Sequence, residues 1–144
     1  DNKNDRSSAI EPFPDQTEPP NMLHNTLPGL IEQMGEPQWV SRVIENPLNT
    51  ANLIYSAPGT PHNAHWHPDF DEWWTILQGE LTWDLGEKRP IYNVKQGDIV
   101  FVPRGLKHYI LTHGGENSFR FAITDSEGLH VYQEGDEDAP PPRE

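Results

Sequence analysis

The stretch Gly59-Thr-Pro-His-Asn-Ala-His65-Trp66-His67-Pro-Asp-Phe-Asp-Glu72 decides how this chain is read. Two histidines stand either side of one residue, a carboxylate follows, and His108 comes later, just beyond the turn Pro103-Arg104-Gly105. Imidazole and carboxylate are side chains that bind divalent transition metals. In an extended chain successive side chains point to opposite faces, so His65 and His67 share a face and Trp66 takes the other. A strand opening at Glu72 lines Glu72, Trp74 and Ile76 along one face and Trp73, Thr75 and Leu77 along the opposite one. His108 and Ile110 likewise point the same way. His65, His67, Glu72 and His108 can thus converge as a metal site. His62, His113 and His130 read as ordinary core or surface histidines. Asp69 and Asp71 read as solvent-facing loop carboxylates, with Asp71 the one rival to Glu72.

Outward from this stretch the pattern is one of short runs rich in β-branched and aromatic residues. They cover Gln38 to Ile44, Ala51 to Ser56, Trp73 to Leu77, Glu80 to Leu85, Ile91 to Val94, Ile99 to Val102, Tyr109 to Thr112, Phe119 to Thr124 and Leu129 to Gln133. Turn signals such as Asn46-Pro47, Pro58-Gly59, Gln78-Gly79, Gln96-Gly97 and Gly114-Gly115 separate them. Regularly spaced short strands predict an all-β sandwich or barrel. Before them, Asn21 to Gly35 suits a short helical or irregular segment.

At 144 residues the chain has room for one domain with a core of its own. Its apolar fraction is only 33%, yet it carries five Trp and five Phe, so polarity is unevenly spread. Residues 1–21 hold four prolines, five acids and two bases, and residues 134–144 hold five acids and one base. Those segments bury too little surface to offset their ordering entropy and read as a mobile N-terminal arm and a disordered acidic, Pro-rich C-terminal tail. They supply −3 and −4 of the formal −13, leaving a mildly acidic body, and a single barrel domain is expected over residues 22–133. Without a Lys/Arg cluster the body is unsuited to nucleic acid, whose affinity comes from neutralising phosphates. No apolar run approaches bilayer length, so no membrane partner is expected. The absence of cysteine excludes disulfides and thiol chemistry. The chain begins at Asp, so processing or truncation is open, and cytoplasm is a default expectation.

The motifs resemble those of the cupin superfamily. Gly59-x5-His65-x-His67-x4-Glu72-x6-Gly79 is similar to its first motif at every anchor, and Gly97-x5-Pro103-x-Gly105-x2-His108 to its second. One departure is Thr112, where the family usually carries Asn. The resemblance implies a double-stranded β-helix, or jelly roll, holding one divalent metal on His65, His67, Glu72 and His108 with positions left open to substrate. Three imidazoles and one carboxylate suit Fe(II), Mn(II), Ni(II), Zn(II) or Cu(II), and ligand type alone does not choose among them; Fe(II) is favoured by the dioxygenase activity expected of the chain. Similarity to small single-barrel cupins also implies a homodimer, with residues 38–44 as a strand available for exchange.

Pocket residues expected around the metal are Trp74, Ile76, Trp83, Phe101 and Ile110, with one parity of Phe119 to Ile123. Such an aromatic lumen suits a small, flat or partly apolar substrate. Trp66 and Trp73 are the residues available to face a partner subunit. Arg120 and Arg104 are the nearest cations; an inward Arg would bind a substrate carboxylate, and Arg104, in a turn, is expected to face solvent. Tyr55 and Tyr109 are candidate proton donors, so Glu72, Tyr55 and Arg120 form the expected catalytic set. The expected activity is that of an Fe(II) dioxygenase acting on a small organic acid, phenol or diketone. A non-oxidative lyase, decarboxylase or isomerase is the rival enzyme, and a ligand-binding module without catalysis is the rival class.

Overall fold

The computed structural model describes residues 16–125, without the side chains of residues 61–63. The strand expected at 129–133 with His130, the tail at 134–144 and most of the arm at 1–21 lie outside the described residues. One helix, α1 (Leu27–Met34), is followed by β1 (Trp39–Glu45), β2 (Asn49–Ser56), β3 (Pro61–His65), β4 (Glu72–Gln78), β5 (Glu80–Asp84), β6 (Tyr92–Lys95), β7 (Ile99–Val102), β8 (His108–His113) and β9 (Ser118–Asp125). The strands form two antiparallel sheets. One has the order β1-β2-β9-β4-β7 and the other β3-β8-β5-β6. No helix among the described residues is long and apolar enough to cross a membrane.

β3 is the element that the residue pattern did not announce as a strand. Its sequence Pro-His-Asn-Ala-His has no β-branched or large apolar residue, and it is held by antiparallel pairing with β8, which puts His65 opposite His108. Tertiary pairing overrides weak local propensity there.

The space between the sheets is filled by Ile54, Trp74, Ile76, Leu81, Trp83, Val94, Val100, Val102, Ile110 and Ala122. Each comes from the inward parity of its strand: β5, for example, buries Leu81 and Trp83 and exposes Glu80 and Asp84. The five-stranded sheet is also covered on its outer face. There Leu30, Trp39, Val43, Ala51, Leu53, Tyr55 and Phe119 form a second apolar cluster, joined by Leu27 and Ile31 of α1. Tyr55 and Phe119 stack with ring centroids 4.1 Å apart, and Trp39 meets both rings at an angle. The helix that closes this layer begins at Thr26, whose Oγ1 accepts from the Gly29 N–H at 3.1 Å, and ends at Gly35, whose N–H donates to the Ile31 carbonyl. β9 is therefore buried on both faces.

The tight link between β4 and β5 turns on Gly79. Its φ is +84°, and a Cβ there would sit 2.8 Å from Ser118 Cα and 2.9 Å from the Asn117 carbonyl oxygen. Neither backbone atom can move without displacing β9. Gly79→Ala is expected to lose at least about 1–2 kcal/mol of stability, the left-handed penalty alone, read as a lowered urea midpoint at unchanged m-value.

Candidate metal centre

The two motifs meet where the two sheets meet. β3 supplies His65 and β8 supplies His108, both in the four-stranded sheet, while Glu72 opens β4 in the five-stranded one. His67 lies in the connection between them. The Gly105 N–H donates to the His67 carbonyl at 2.6 Å, and the Arg104 N–H donates to Asp71 Oδ1 at 2.8 Å. The turn of the second motif is thus clasped onto the loop of the first. Phe70, fully buried, stacks on His67 with centroids 4.4 Å apart and restricts its ring.

One ligand atom from each of His65, His67, Glu72 and His108 lies within 4.8 Å of every other, and all four residues are buried. His67 Nε2 lies 2.8 Å from Glu72 Oε1, and His108 Nε2 lies 3.9 Å from the same oxygen. The Nδ1–H of His108 donates to the Leu106 carbonyl at 3.1 Å, because a carbonyl can only accept. That bond directs the Nε2 lone pair towards the cluster, the outer support that metal-binding imidazoles commonly receive. The His65 ring sits 4.9 Å from His67 and 4.3 Å from His108, centroid to centroid. The donor set fits a divalent ion: three imidazoles and one carboxylate, buried together.

Asp71, the rival to Glu72, is not in the cluster; its carboxylate serves the turn, where Arg104 Nε also approaches to 3.6 Å. Arg104 faces solvent, as expected for a turn. Thr112, at the departure from the family pattern, is buried with its Oγ1 2.8 Å from Ser118 Oγ. It is a structural tie between β8 and the start of β9. His113 lies beside Glu80, away from the cluster.

The expected pocket residues divide. Trp74, Ile76, Trp83 and Ile110 all lie in the inter-sheet core, with Trp74 5.5 Å from the His108 ring and 5.4 Å from Trp83. Phe101 does not: it is 56% exposed. The register explains why, because Trp74 pairs with Val100 and Glu72 with Val102, leaving Phe101 beside Trp73 on the outer face. Val100 and Val102 fill the lumen instead. Trp66 is fully buried and offers nothing to a partner subunit, whereas Trp73 is partly exposed.

Tyr55 is also placed away from the cluster. It pairs with Phe119, while its neighbour Ile54 pairs with Arg120 and faces inward, so Tyr55 belongs to the outer apolar layer. Its hydroxyl accepts from Asn117 Nδ2 at 2.9 Å. Tyr109 alternates with the buried His108 and Ile110 and is exposed. Neither tyrosine lies on the inward face that carries the cluster.

Arg120 faces inward. It pairs with Ile54 on one side and Ile76 on the other, sharing the parity of Glu72 and Trp74, and is 1% exposed. Nothing in the local pattern Ser118-Phe-Arg-Phe-Ala-Ile-Thr-Asp125 singles out that face. Burial pushes its guanidinium down to about 10, while the charge of Glu72 pulls it back up.

The profile of the Cupin domain family matches residues 52–136, and the chain belongs to that family. Oxalate decarboxylase OxdC of Bacillus subtilis is 31% identical over 68 residues, which cover 44% of this chain and 17% of that enzyme. The chain therefore spans a small part of that relative's length. A solved structure of the Bacillus subtilis enzyme, described for its Mn(II) centres, superposes with a TM-score of 0.54 at 25% identity over 59% of this chain and 24% of the other. A double-stranded β-helix protein from Klebsiella pneumoniae gives 0.58 at 23% identity, covering 69% and 88% of the two chains. The polyketide cyclase RemF of Streptomyces resistomycificus gives 0.59 at 18% identity, covering 73% and 80%. The fold is the double-stranded β-helix of cupins, as the motifs imply.

Elemental analysis of the purified chain is expected to find about one divalent ion per chain, and His67→Ala and Glu72→Ala each to lose most of it. Full metal content in both variants would remove the assignment.

Proposed function

We propose that this chain is a divalent-metal-dependent enzyme that transforms a small organic molecule, with His65, His67, Glu72 and His108 holding the metal and Fe(II) dioxygenation as the reaction. The observation that carries the proposal is the buried set of four ligand side chains at the junction of two sheets. A complete set weighs against a module that binds a ligand without chemistry. A divalent ion in it supplies a Lewis acid for a substrate oxygen and, as Fe(II), redox chemistry towards O2.

The remainder of the lumen favours the oxidative reading. Its described side chains are Trp, Ile, Leu, Val, Ala, Ser and Thr, together with the four cluster residues and Arg120. With Tyr55 and Tyr109 turned away, the described inward-facing residues hold no acid or base beside Glu72, the histidines and Arg120. Proton-transfer chemistry needs such a group within hydrogen-bond reach of substrate. Chemistry in which substrate and O2 react together asks less of the protein: orientation of the substrate, exclusion of water by Trp74 and Trp83, and stable ligands.

A second reading, non-oxidative decarboxylation with Mn(II), is favoured by the similarity to oxalate decarboxylase. Glu72 is then the one carboxylate able to move a proton. Oxygen-electrode measurements on Fe(II)-loaded protein with a panel of small organic acids, phenols and diketones separate the two. Stoichiometric O2 uptake with product is expected; anaerobic turnover of a panel acid, with release of CO2 and no O2 uptake, would make the second reading the correct one. Tyr55→Phe is expected to leave turnover within about twofold of wild type in the same assay, since it removes only a bond to Asn117.

A further inference from the structure

Arg120 is a charged side chain buried in an apolar lumen without enough partners. Its Nη1 donates to Ser56 Oγ at a long 3.4 Å, and that same oxygen already accepts from Gln38 Nε2 at 3.0 Å. Its Nε and Nη2 make no hydrogen bond. It forms no ion pair with Glu72 or with any other carboxylate among the described residues. A guanidinium offers five N–H donors in a planar fork, and leaving most of them unsatisfied away from water is costly. Native proteins keep such a group where something else supplies the acceptors.

A second donor in the same lumen is in the same condition. Trp83 is fully buried and its Nε1–H has no partner. It projects from β5 of one sheet into the core that holds Ile76 and Trp74, and Arg120, on β9 of the other sheet, pairs with that same Ile76. Buried donors of two residue types, on opposing sheets and left without partners, point to an anion whose oxygens would satisfy them. A chloride-like point charge uses the fork poorly, whereas a planar carboxylate matches it through two parallel N–H···O bonds.

We infer that Arg120 and Trp83 form a carboxylate subsite, so that the substrate is a small organic acid whose carboxylate sits on Arg120 while its reacting end reaches the four-residue cluster. This rests on the proposed metal-dependent activity. The register sets the length of that acid: Arg120 pairs with Ile76, four residues along β4 from Glu72, which is about 13 Å of strand. The Arg120 side chain bridges part of that span, so the acid is of few carbons. At neutral pH the guanidinium stays cationic, since its lowered value of about 10 is still well above 7. A bound carboxylate raises that value again, and the pairing strengthens with the exclusion of water. Arg120 thus also sets selectivity against neutral analogues, because an amide of the same shape leaves the charge unpaired.

The test is isothermal titration calorimetry on the full chain, metal-loaded and after chelator treatment, with acetate, butyrate and benzoate against acetamide, butyramide and benzamide. At least one acid is expected to bind about tenfold or more tighter than its amide, and Arg120→Met to abolish that preference with metal content and far-ultraviolet circular dichroism unchanged. Arg120→Lys, which keeps charge and loses the fork, is expected to restore part of it. Equal binding of every acid and amide, no saturable binding of any acid, or a preference that survives Arg120→Met overturns the subsite. If Arg120→Met does not fold, Trp83→Phe decides, since it keeps the apolar ring and deletes the N–H: acid binding about three- to tenfold weaker with amide binding unchanged supports the subsite, and unchanged acid binding overturns it. Failure of the metal reading gives a different result, namely no bound metal in the wild-type chain with the acid preference intact in both preparations.

Discussion

The structure depends on the burial of one carboxylate and three imidazoles at the line where two sheets converge. Glu72 comes from one sheet, His65 and His108 from the other, and His67 from the connection between them. A carboxylate taken from water is tolerated only when hydrogen bonds or a cation compensate it. Here the compensation comes from His67 at 2.8 Å, and an ion held by the four residues would add to it. The backbone bonds around it follow the same demand. Gly105 to His67 and Arg104 to Asp71 close the second motif on the first, and Leu106 fixes the His108 ring.

That demand explains why the five-stranded sheet is covered on both faces. Holding polar side chains in a narrow lumen requires strands that do not shift, and a sheet open to water on one face gains less from burial than one covered twice. Helix α1 and the ring stack of Trp39, Tyr55 and Phe119 provide the second cover. Tyr55 thus packs in the outer layer that supports β2 and β9. The neighbouring inward residue on each of those strands, Ile54 and Arg120, is what the lumen meets.

Arg120 and the cluster divide the lumen into two kinds of chemistry. The cluster offers lone pairs to a cation; Arg120 and Trp83 offer N–H groups to an anion. On the proposed reading, a small acid bound by a metal at one end and the guanidinium at the other would join them, with apolar Trp74 and Ile76 in the same core. On that reading the lumen trades stability for recognition, since unsatisfied donors are retained where a packed apolar side chain would be more stable.

The resemblance of two motifs, anchored on His65, His67, Glu72, His108 and the turn glycines, implied a cupin barrel, and the same four side chains were legible as a candidate metal set. Local periodicity supports the candidate set, since side chains two apart on an extended segment share a face, and turns require particular residues at fixed positions. β3 escaped notice because its residues have little β-propensity and pair only through β8. Phe101, Tyr55 and Arg120 were beyond local reading for another reason. Ile99-Val100-Phe101-Val102 and Phe119 to Ile123 have large or apolar side chains on both parities, so no alternation tells inside from outside. Only the pairing of β7 with β4, and of β9 with β2 and β4, assigns a face to each residue, turning Phe101 and Tyr55 out and Arg120 in. The sequence by itself determined which side chains could bind a metal and in what kind of barrel. Tertiary structure decided what surrounds them, because the parity of a strand buried on both faces is set by its neighbours' register and not by its own residues.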